Sequence, residues 1–201
     1  MLNEVNRFRS YPILKIKLGQ GGSDIDIIRS IRKHMDQRLW IDANQGWKSL
    51  DEAMIICNEL QSLGVELIEQ PFPIGQLSLV HQLSQQYDMA IIADEDCQDV
   101  SDIQQLAGCY DGINTKLMKC GGIRNAVEMI AQSRRSGLSV MLGCMTESSV
   151  GISAAYQLAH MVDYVDLDGN MLINNDPAKG VYLDEGVLKN HKGIGIQCLL
   201  K

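Results

Sequence analysis

Three carboxylates follow three successive apolar runs of the chain: Asp42 in IDANQGW, Glu69 in IEQPFP and Asp94 in IADEDC. If these runs are neighbouring parallel strands of a barrel, their carboxyl ends share one rim, where such folds carry their chemistry. Three unpaired acids repel one another, and burying their charges is costly. A hard divalent cation removes both costs, and oxygen ligands favour Mg²⁺. The alternative is that each acid caps the following helix or forms a local ion pair.

Lysines in two other apolar runs flank these acids along the chain. Lys15 and Lys17 alternate with apolar residues in ILKIKLG, so both point to one face of the predicted strand. Lys116 ends the run GINTK. A lysine serves as a base when burial or a nearby cation lowers its pKa. In a closed barrel Lys17 and Lys116 would face each other across the rim, as two acid/base groups or as ion-pair partners of the carboxylates.

Further polar residues follow the sixth and seventh strands and the second one. Asp166 and Asp168 in VDLDGN share one face, which suits a cationic group of a substrate or a cap for the loop before Gly169. The other candidates for substrate contacts are Asn44, Met145 and Glu147. The glycines of GQGGS lack the GxGxxG spacing of a phosphate loop, so they are interpreted as turn residues.

Short apolar runs alternate with amphipathic helical stretches, which indicates repeated βα units and a parallel sheet. The predicted strands are Leu14–Leu18, Arg38–Ile41, Leu67–Ile68, Ala90–Ala93, Gly112–Lys116, Val140–Leu142 and Val162–Leu167. The SLDE spacing predicts that one helix begins at Ser49, and Gly64 ends it. Seven such units favour an incomplete eight-stranded barrel over a doubly wound sheet. The segment NEVNRFRSYP is typical of a helix end that would follow a missing first strand.

The composition describes one ordinary globular domain of 201 residues, with 45% apolar content and a net charge of −7. The acidic balance argues against nucleic acid or an anionic membrane surface as the main partner. Six scattered cysteines form no CxxC pair. The sequence contains no apolar signal segment and no run of membrane-spanning length, so we expect a cytoplasmic protein with reduced thiols.

In their order and spacing, the segments KIKLG, DANQGW, IEQP, ADED, KLMKCGG and DLDGN resemble the enolase superfamily. Within it they are most similar to the muconate-lactonizing/dipeptide epimerase subgroup, in particular the L-Ala-D/L-Glu epimerases. The resemblance covers essentially all 201 residues. It implies the α/β fold of an enolase-type (β/α) barrel, a C-terminal domain over residues 1–201 that lacks the N-terminal capping domain and the first barrel strand.

The resemblance also implies a role for each candidate residue in the epimerisation of a dipeptide. Mg²⁺ would hold the substrate carboxylate and stabilise the enediolate that forms when the α-proton leaves. Its implied ligands are Asp42, Glu69 and Asp94. Lys17 and Lys116 would be the acid/base groups on opposite faces of the α-carbon, and Lys15 an electrostatic helper near the carboxylate. Asp166 and Asp168 would hold the dipeptide α-ammonium.

Two other functions stay open from the sequence. The o-succinylbenzoate synthases and cycloisomerases of the superfamily use a similar lysine pair and metal arc, but their substrates lack the ammonium group that DLD would bind. A catalytically silent barrel fragment, kept for assembly, is the alternative from another class. Without the capping domain, water enters the site, so we expect low or no activity from this chain alone. Two unpaired sheet edges would also favour a homo-oligomer.

Overall fold

The computed structural model describes residues 8–19 and 24–190, together with the backbone of residues 197–198. Residues 3–7 of the predicted helix end and residues 20–23 of the glycine loop lie outside this part. The chain divides into two compact units. The first comprises Met1–Asp96 and Gln105–Gly112, and the second comprises Cys97–Gln104 and Ile113–Lys201.

The first unit contains four parallel strands in the order β1-β2-β3-β4. These strands are β1 (Ile13–Lys17), β2 (Arg38–Asp42), β3 (Val65–Glu69) and β4 (Ala90–Ala93). The helices between them are α1 (Asp24–Arg32), α2 (Leu50–Ser62) and α3 (Leu77–Ser84). Each strand is thus followed by the helix of a βα unit, as the alternating pattern predicts.

The second unit continues the βα alternation with the strand order β5-β6-β7. A boundary between the units falls within α4 (Ile103–Leu106) and another within β5 (Gly112–Lys116). The remaining elements are α5 (Leu117–Cys120), α6 (Ile123–Arg135), β6 (Ser139–Gly143), α7 (Ser149–Tyr156) and β7 (Tyr164–Val165). Two short antiparallel pairs follow: β8 (Ala178–Lys179) with β11 (Gln197–Cys198), and β9 (Tyr182–Asp184) with β10 (Val187–Lys189). Two 3₁₀ helices cover Ala159–Met161 and Gly169–Leu172.

All seven predicted strands are present, with changes at their ends. The third strand is longer than predicted, and the seventh is shorter. The seventh begins at Tyr164, directly after Asp163, whose carboxylate accepts a hydrogen bond from Val140 N at 2.8 Å and pairs with Arg134 at 2.7 Å. A side chain used in this way marks the turn before the strand.

The start of α2 confirms the predicted capping arrangement. Ser49 Oγ accepts a hydrogen bond from Glu52 N at 3.2 Å. The Glu52 carboxylate in turn accepts from Lys48 N at 2.9 Å. Two of the backbone N–H groups around the helix start are thereby satisfied, so the helix begins where the sequence places it. Gly64, at φ +70°, follows its end.

The apolar residues of the strands form the cores of the two units. Leu39, Ile41, Leu67 and Ile68 are fully buried in the first unit, and Val140 and Leu142 in the second. Five cysteines are described as thiols, namely Cys57, Cys97, Cys109, Cys120 and Cys144. Among the helices described, none has the length and apolar character needed to cross a membrane.

Candidate active site

The strand register of the first unit brings the predicted residues of β1, β2 and β3 to one level. Lys17 is the backbone partner of Asp42, and Asp42 is the partner of Glu69. Asp94 lies just beyond β4, in which Ile92 is the partner of Glu69. The carboxyl ends of four parallel strands therefore carry the lysines and all three acids, the placement expected of a (β/α) barrel rim.

Lys15, Lys17, Asp42 and Glu69 form a lysine–carboxylate cluster. The Lys15 ammonium lies 2.5 Å from Glu69 Oε2 and 3.8 Å from Asp42 Oδ2, and Lys17 donates to Asp42 Oδ2 at 2.9 Å. The Glu69 side chain is fully buried, and that of Asp42 is 3% exposed. Buried carboxylates need a cation within contact distance to remain charged. For Lys17, the ion-pair alternative is therefore present in this structure, and Lys15 forms a further pair with Glu69.

The two lysines of the cluster differ in exposure. The Lys15 side chain is 16% exposed, whereas that of Lys17 is 70% exposed. This exposure differs from the partial burial that we expected for a lysine base, because Lys17 is the last residue of β1. The Lys17 ammonium is still held, since it also donates to Asn44 Oδ1 at 3.0 Å. It is thus fixed at its tip and open to solvent along its length.

The loop after β2 has a strained backbone that directs Asn44 towards Lys17. Asn44 and Gln45 have φ angles of 44° and 62°, in the left-handed region. Asn44 N donates to Asp42 Oδ1 at 3.0 Å, while its side-chain oxygen accepts from Lys17. Asn44 therefore links Asp42, the first predicted acid, to the exposed lysine Lys17.

Two glycines let the loops after β1 and β2 meet through their backbones. A Cβ on Gly46 would lie 2.3 Å from Gly19 Cα, and one on Gly19 would clash with Ala43 O. Gly19 also has φ +88°, which side chains rarely adopt. Its N–H donates to Asp24 at 2.7 Å. The close approach of Gly19 and Gly46 therefore lies between the loop that follows Lys17 and the loop that contains Asn44.

The donor set of the first unit fits a hard divalent cation in its chemistry. Asp42, Glu69 and Asp94 are 2%, 0% and 5% exposed, and each supplies carboxylate oxygens at the end of its strand. Within the described residues, however, no group of three Asp, Glu, His or Cys side chains is gathered around a point where an ion could sit. In this structure the positive charges beside Asp42 and Glu69 are those of Lys15 and Lys17.

The second unit places Lys116 at the end of β5, where it is 9% exposed and directly precedes α5. The strand end around it is tightly packed. A Cβ on Gly143 would lie 2.5 Å from Asn114 Oδ1, so β6 leaves room for this side chain only because it carries glycine. Lys119 Nζ donates to Asn114 O at 2.9 Å. These contacts fix the backbone that presents Lys116.

Three predicted acids of this unit, Glu147, Asp166 and Asp168, act electrostatically on the thiol of Cys144, and we name them the acidic cluster. Burial, followed by the negative charges of Asp166, Asp168 and Glu147, raises the pKa of Cys144 to about 12. Glu147 Oε1 accepts from Met145 N at 3.1 Å. Asp168 is exposed, while Asp166 and Glu147 are half-buried. The Met145 side chain is 45% exposed, so it is available to a ligand rather than part of the core.

Sequence reasoning missed Cys144 and a buried polar group at the ends of β3 and β4. In that group Gln70 Nε2 donates to Asp96 Oδ2 at 2.8 Å and to Tyr110 OH at 3.2 Å. Gln70 is fully buried, and Asp96 and Tyr110 are 9% and 3% exposed. The only sequence signal was a polar residue directly after Glu69, before a proline in IEQP.

Residues 1–196 match the family described as enolase C-terminal domain-like. The chain belongs to this family. The predicted superfamily is thereby confirmed, and the relatives extend the match to the predicted subgroup. The chain is 44% identical over 188 residues to the L-Ala-D/L-Glu epimerase of Bacteroides thetaiotaomicron, covering 92% of this chain and 49% of that protein.

A second relative has a broader name. The L-Ala-D/L-amino acid epimerase of a Maribacter species is 45% identical over 177 residues, which cover 88% of this chain and 52% of that protein. The chain thus spans about half the length of the curated relatives it matches. A hydrophobic dipeptide epimerase of a Flavobacteria bacterium is 39% identical, so relatives of similar identity differ in the dipeptides they are named for.

Solved structures confirm the predicted enolase-type (β/α) barrel fold. A substrate-liganded L-Ala-D/L-Glu epimerase from Bacillus subtilis matches with a TM-score of 0.87 and 30% identity, over 96% of this chain and 58% of that one. A dipeptide epimerase from Enterococcus faecalis, complexed with Mg and the dipeptide L-Leu-L-Tyr, matches with a TM-score of 0.86 and 32% identity. That match covers 97% of this chain and 59% of the E. faecalis chain.

Proposed function

We propose that this chain carries the catalytic barrel of a dipeptide epimerase of the L-Ala-D/L-Glu type, which inverts an α-carbon by 1,1-proton transfer. The observation that carries the proposal is the lysine–carboxylate cluster. It presents the ammonium of the exposed Lys17 side chain, held by Asp42 and Asn44, at the same end of the parallel strands as the buried Glu69. The family membership and the named activities of the relatives support the same function.

Inversion requires one group that removes a proton and another that returns a proton to the opposite face. Lys17 is proposed as one of these groups, because its side chain is exposed while two hydrogen bonds hold its Nζ. Lys116 is proposed as the other, at the end of β5. Lys15 keeps the charge of Glu69 compensated and thereby holds the carboxylate in place.

A magnesium ion is the cofactor that the donor set and the relatives support. Asp42, Glu69 and Asp94 would hold it through their carboxylate oxygens. When bound, it supplies positive charge that stabilises the negative charge developing on the substrate carboxylate. Such an ion needs deprotonated carboxylates, and the ammonium groups of Lys15 and Lys17 lie within contact distance of Glu69 and Asp42.

The acidic cluster of the second unit is proposed to bind the dipeptide α-ammonium. Asp168 is exposed and Asp166 half-buried, so both carboxylates are accessible to a cationic group that arrives from the solvent. This role separates the epimerase from the o-succinylbenzoate synthases and cycloisomerases, whose substrates offer no ammonium. Further substrate contacts are proposed for Asn44, Met145 and Glu147. A cytoplasmic location and a homo-oligomer stay predictions.

The direct test follows deuterium exchange at the α-carbon of the Glu residue of L-Ala-L-Glu in D₂O with Mg²⁺, by proton NMR. The protein is assayed alone and fused to the half of the B. thetaiotaomicron relative that this chain does not match. We expect exchange with inversion in the fusion and weak exchange in the chain alone, because solvent weakens the electrostatic interactions in the site.

A fusion that is folded and yet shows no exchange contradicts the epimerase function and favours the catalytically silent barrel. Turnover of a succinylbenzoate precursor would favour the synthase.

Single-lysine variants of the fusion test the two-base assignment. Lys17→Ala should abolish exchange from one epimer, while Lys116 still exchanges the other, and Lys116→Ala should show the reverse pattern. Lys48→Ala serves as the control, because Lys48 is exposed in the loop before α2. An equal, partial loss from both epimers in both variants would mean that these lysines are structural.

A further inference from the structure

We propose that Gln70 is a positioning residue that fixes the backbone of Asp94 relative to Glu69, so that both carboxylates are set for one metal ion. The inference rests on the magnesium site of the proposed function and names the group that builds it. Gln70 follows Glu69 directly and is fully buried. Its side chain reaches across to the end of the next strand, where Asp94 lies.

The Gln70 amide oxygen holds the turn after β4. It accepts hydrogen bonds from Asp94 N at 3.0 Å and from Asp96 N at 3.1 Å. Both donors belong to backbone that has left the β-ladder, so they need a partner from elsewhere in the fold. One side-chain atom thus sets the path of the chain on both sides of residue 95.

The Gln70 amide nitrogen is itself held, which makes the position of the oxygen specific. It donates to Phe72 O at 3.0 Å, to Asp96 Oδ2 at 2.8 Å and to Tyr110 OH at 3.2 Å. Tyr110 OH donates to the same Asp96 oxygen at 2.7 Å. The other Asp96 oxygen accepts from Gly75 N at 2.8 Å. The amide therefore cannot flip without losing hydrogen bonds on both of its ends.

The backbone of Gln70 ties the same two strand ends from the other side. Its N–H donates to Ile92 O at 2.9 Å, which continues the ladder between β3 and β4. Its φ of 39° lies in the left-handed region, which a glutamine adopts only when its surroundings hold it there. This turn of the chain directs the side chain towards Asp94 and Asp96. Groups behind metal ligands commonly hold those ligands in orientation.

The test compares Mg²⁺ affinity with the exchange of single backbone amides. Gln70→Met keeps the length of the side chain and removes all its hydrogen bonds. Gln61→Met is the matched control, because Gln61 is exposed on α2. Mg²⁺ binding is measured by calorimetry well below the unfolding temperature of each variant, and hydrogen exchange at Asp94 and Asp96 by NMR.

We expect Gln70→Met to bind Mg²⁺ about tenfold to a hundredfold more weakly, as other losses behind metal ligands do, and to exchange both amides faster. Gln61→Met should match the unchanged protein. Equal Mg²⁺ affinity in folded Gln70→Met overturns the inference, since a merely structural residue would lower only the unfolding temperature. If Gln70→Met does not fold, the same measurements on Tyr110→Phe test the inference. This variant deletes the hydroxyl beside Asp96 and should weaken Mg²⁺ binding severalfold. Unchanged Mg²⁺ affinity of Tyr110→Phe also overturns the inference.

Failure of the proposed function has a different signature. If the unchanged protein binds no Mg²⁺, the metal site itself is wrong, whatever Gln70 does. The exchange of the Asp94 and Asp96 amides then still decides whether Gln70 fixes this turn. Faster exchange in Gln70→Met upholds the positioning role, and equal exchange overturns it.

Discussion

The lysine–carboxylate cluster of the first unit and the acidic cluster of the second differ in how their negative charges are stabilised. Asp42 and Glu69 are buried, and ammonium groups within contact distance compensate them. Asp166, Asp168 and Glu147 retain contact with solvent, and their charges add to the effect of burial in raising the pKa of the Cys144 thiol. Buried charges require fixed partners and therefore a fixed geometry, whereas exposed charges stay ionised in water and can accept a cation that arrives later. The first arrangement suits a resident ion and the second a passing substrate.

Lys15→Met should have the largest effect, because it removes the ammonium that lies within contact distance of the fully buried Glu69 carboxylate. Breaking a buried ion pair in this way lowers the free energy of unfolding by about 3–5 kcal/mol. Urea unfolding followed by the fluorescence of Trp40 and Trp47 measures the loss. The exposed Lys48→Met is the control and should unfold like the unchanged protein. A loss below about 1 kcal/mol is typical of an exposed ion pair and would contradict the assignment of Lys15 and Glu69 as a buried pair.

Magnesium should stabilise the protein through the first cluster and not through the second. At a free Mg²⁺ concentration of about 100 times the Kd, the expected gain is about 2.7 kcal/mol. Thermal unfolding with and without Mg²⁺ measures it. Asp42→Asn should remove the gain, and Asp168→Asn should retain it. The reverse pattern would mean that the acidic cluster is the metal site.

Lys17→Met should cost much less stability than Lys15→Met, although both lysines contact Asp42. The Lys17 side chain is 70% exposed, and exposed ion pairs contribute about 1 kcal/mol or less. The same urea titration compares the two variants. Similar losses of stability in both variants would show that Lys17 stabilises the fold as much as Lys15 does. The distinction between Lys15 as electrostatic helper and Lys17 as base would then have no support from stability.

The smallest expected effect at neutral pH concerns two thiols, one in each unit. Burial raises the pKa of Cys57 to about 12 from its ordinary value of 9.0, and burial with the nearby acids does the same for Cys144. The folded protein therefore keeps both protons where the unfolded chain loses them, so stability falls as the pH rises from about 9 towards 12. Asp166→Asn should lower the pKa of Cys144 and leave that of Cys57 unchanged. The pH profile of iodoacetamide alkylation, resolved by peptide mass spectrometry, checks both thiols.

Much of this fold could be predicted because its signals are local. Apolar runs mark the strands, and the Ser49–Glu52 spacing marks a helix start that the hydrogen bonds confirm. The shared face of Lys15 and Lys17 also follows from the alternation of a strand. Their different exposure does not, because it depends on how far each lies from the end of β1.

The Gln70 group shows where local signals end. Its partners Asp96 and Tyr110 lie 26 and 40 residues further along the chain. No periodicity or motif in one segment joins three such residues, since only the folded ends of β3 and β4 bring them together. Cys144 was missed for a similar reason, because its raised pKa depends on burial and on nearby acids rather than on the spacing of residues in the sequence.

The contact between Gly19 and Gly46 limits how this sequence can vary. Each position borders backbone that leaves no space for a Cβ, so even alanine would push the loops after β1 and β2 apart. In a library covering all substitutions, both positions should therefore tolerate glycine alone, although neither carries a functional group. In a chimera of two relatives, the loops after β1 and β2 would therefore have to come from the same parent. The geometry beside Lys17 and Asn44 thus depends on two positions that carry no side chain.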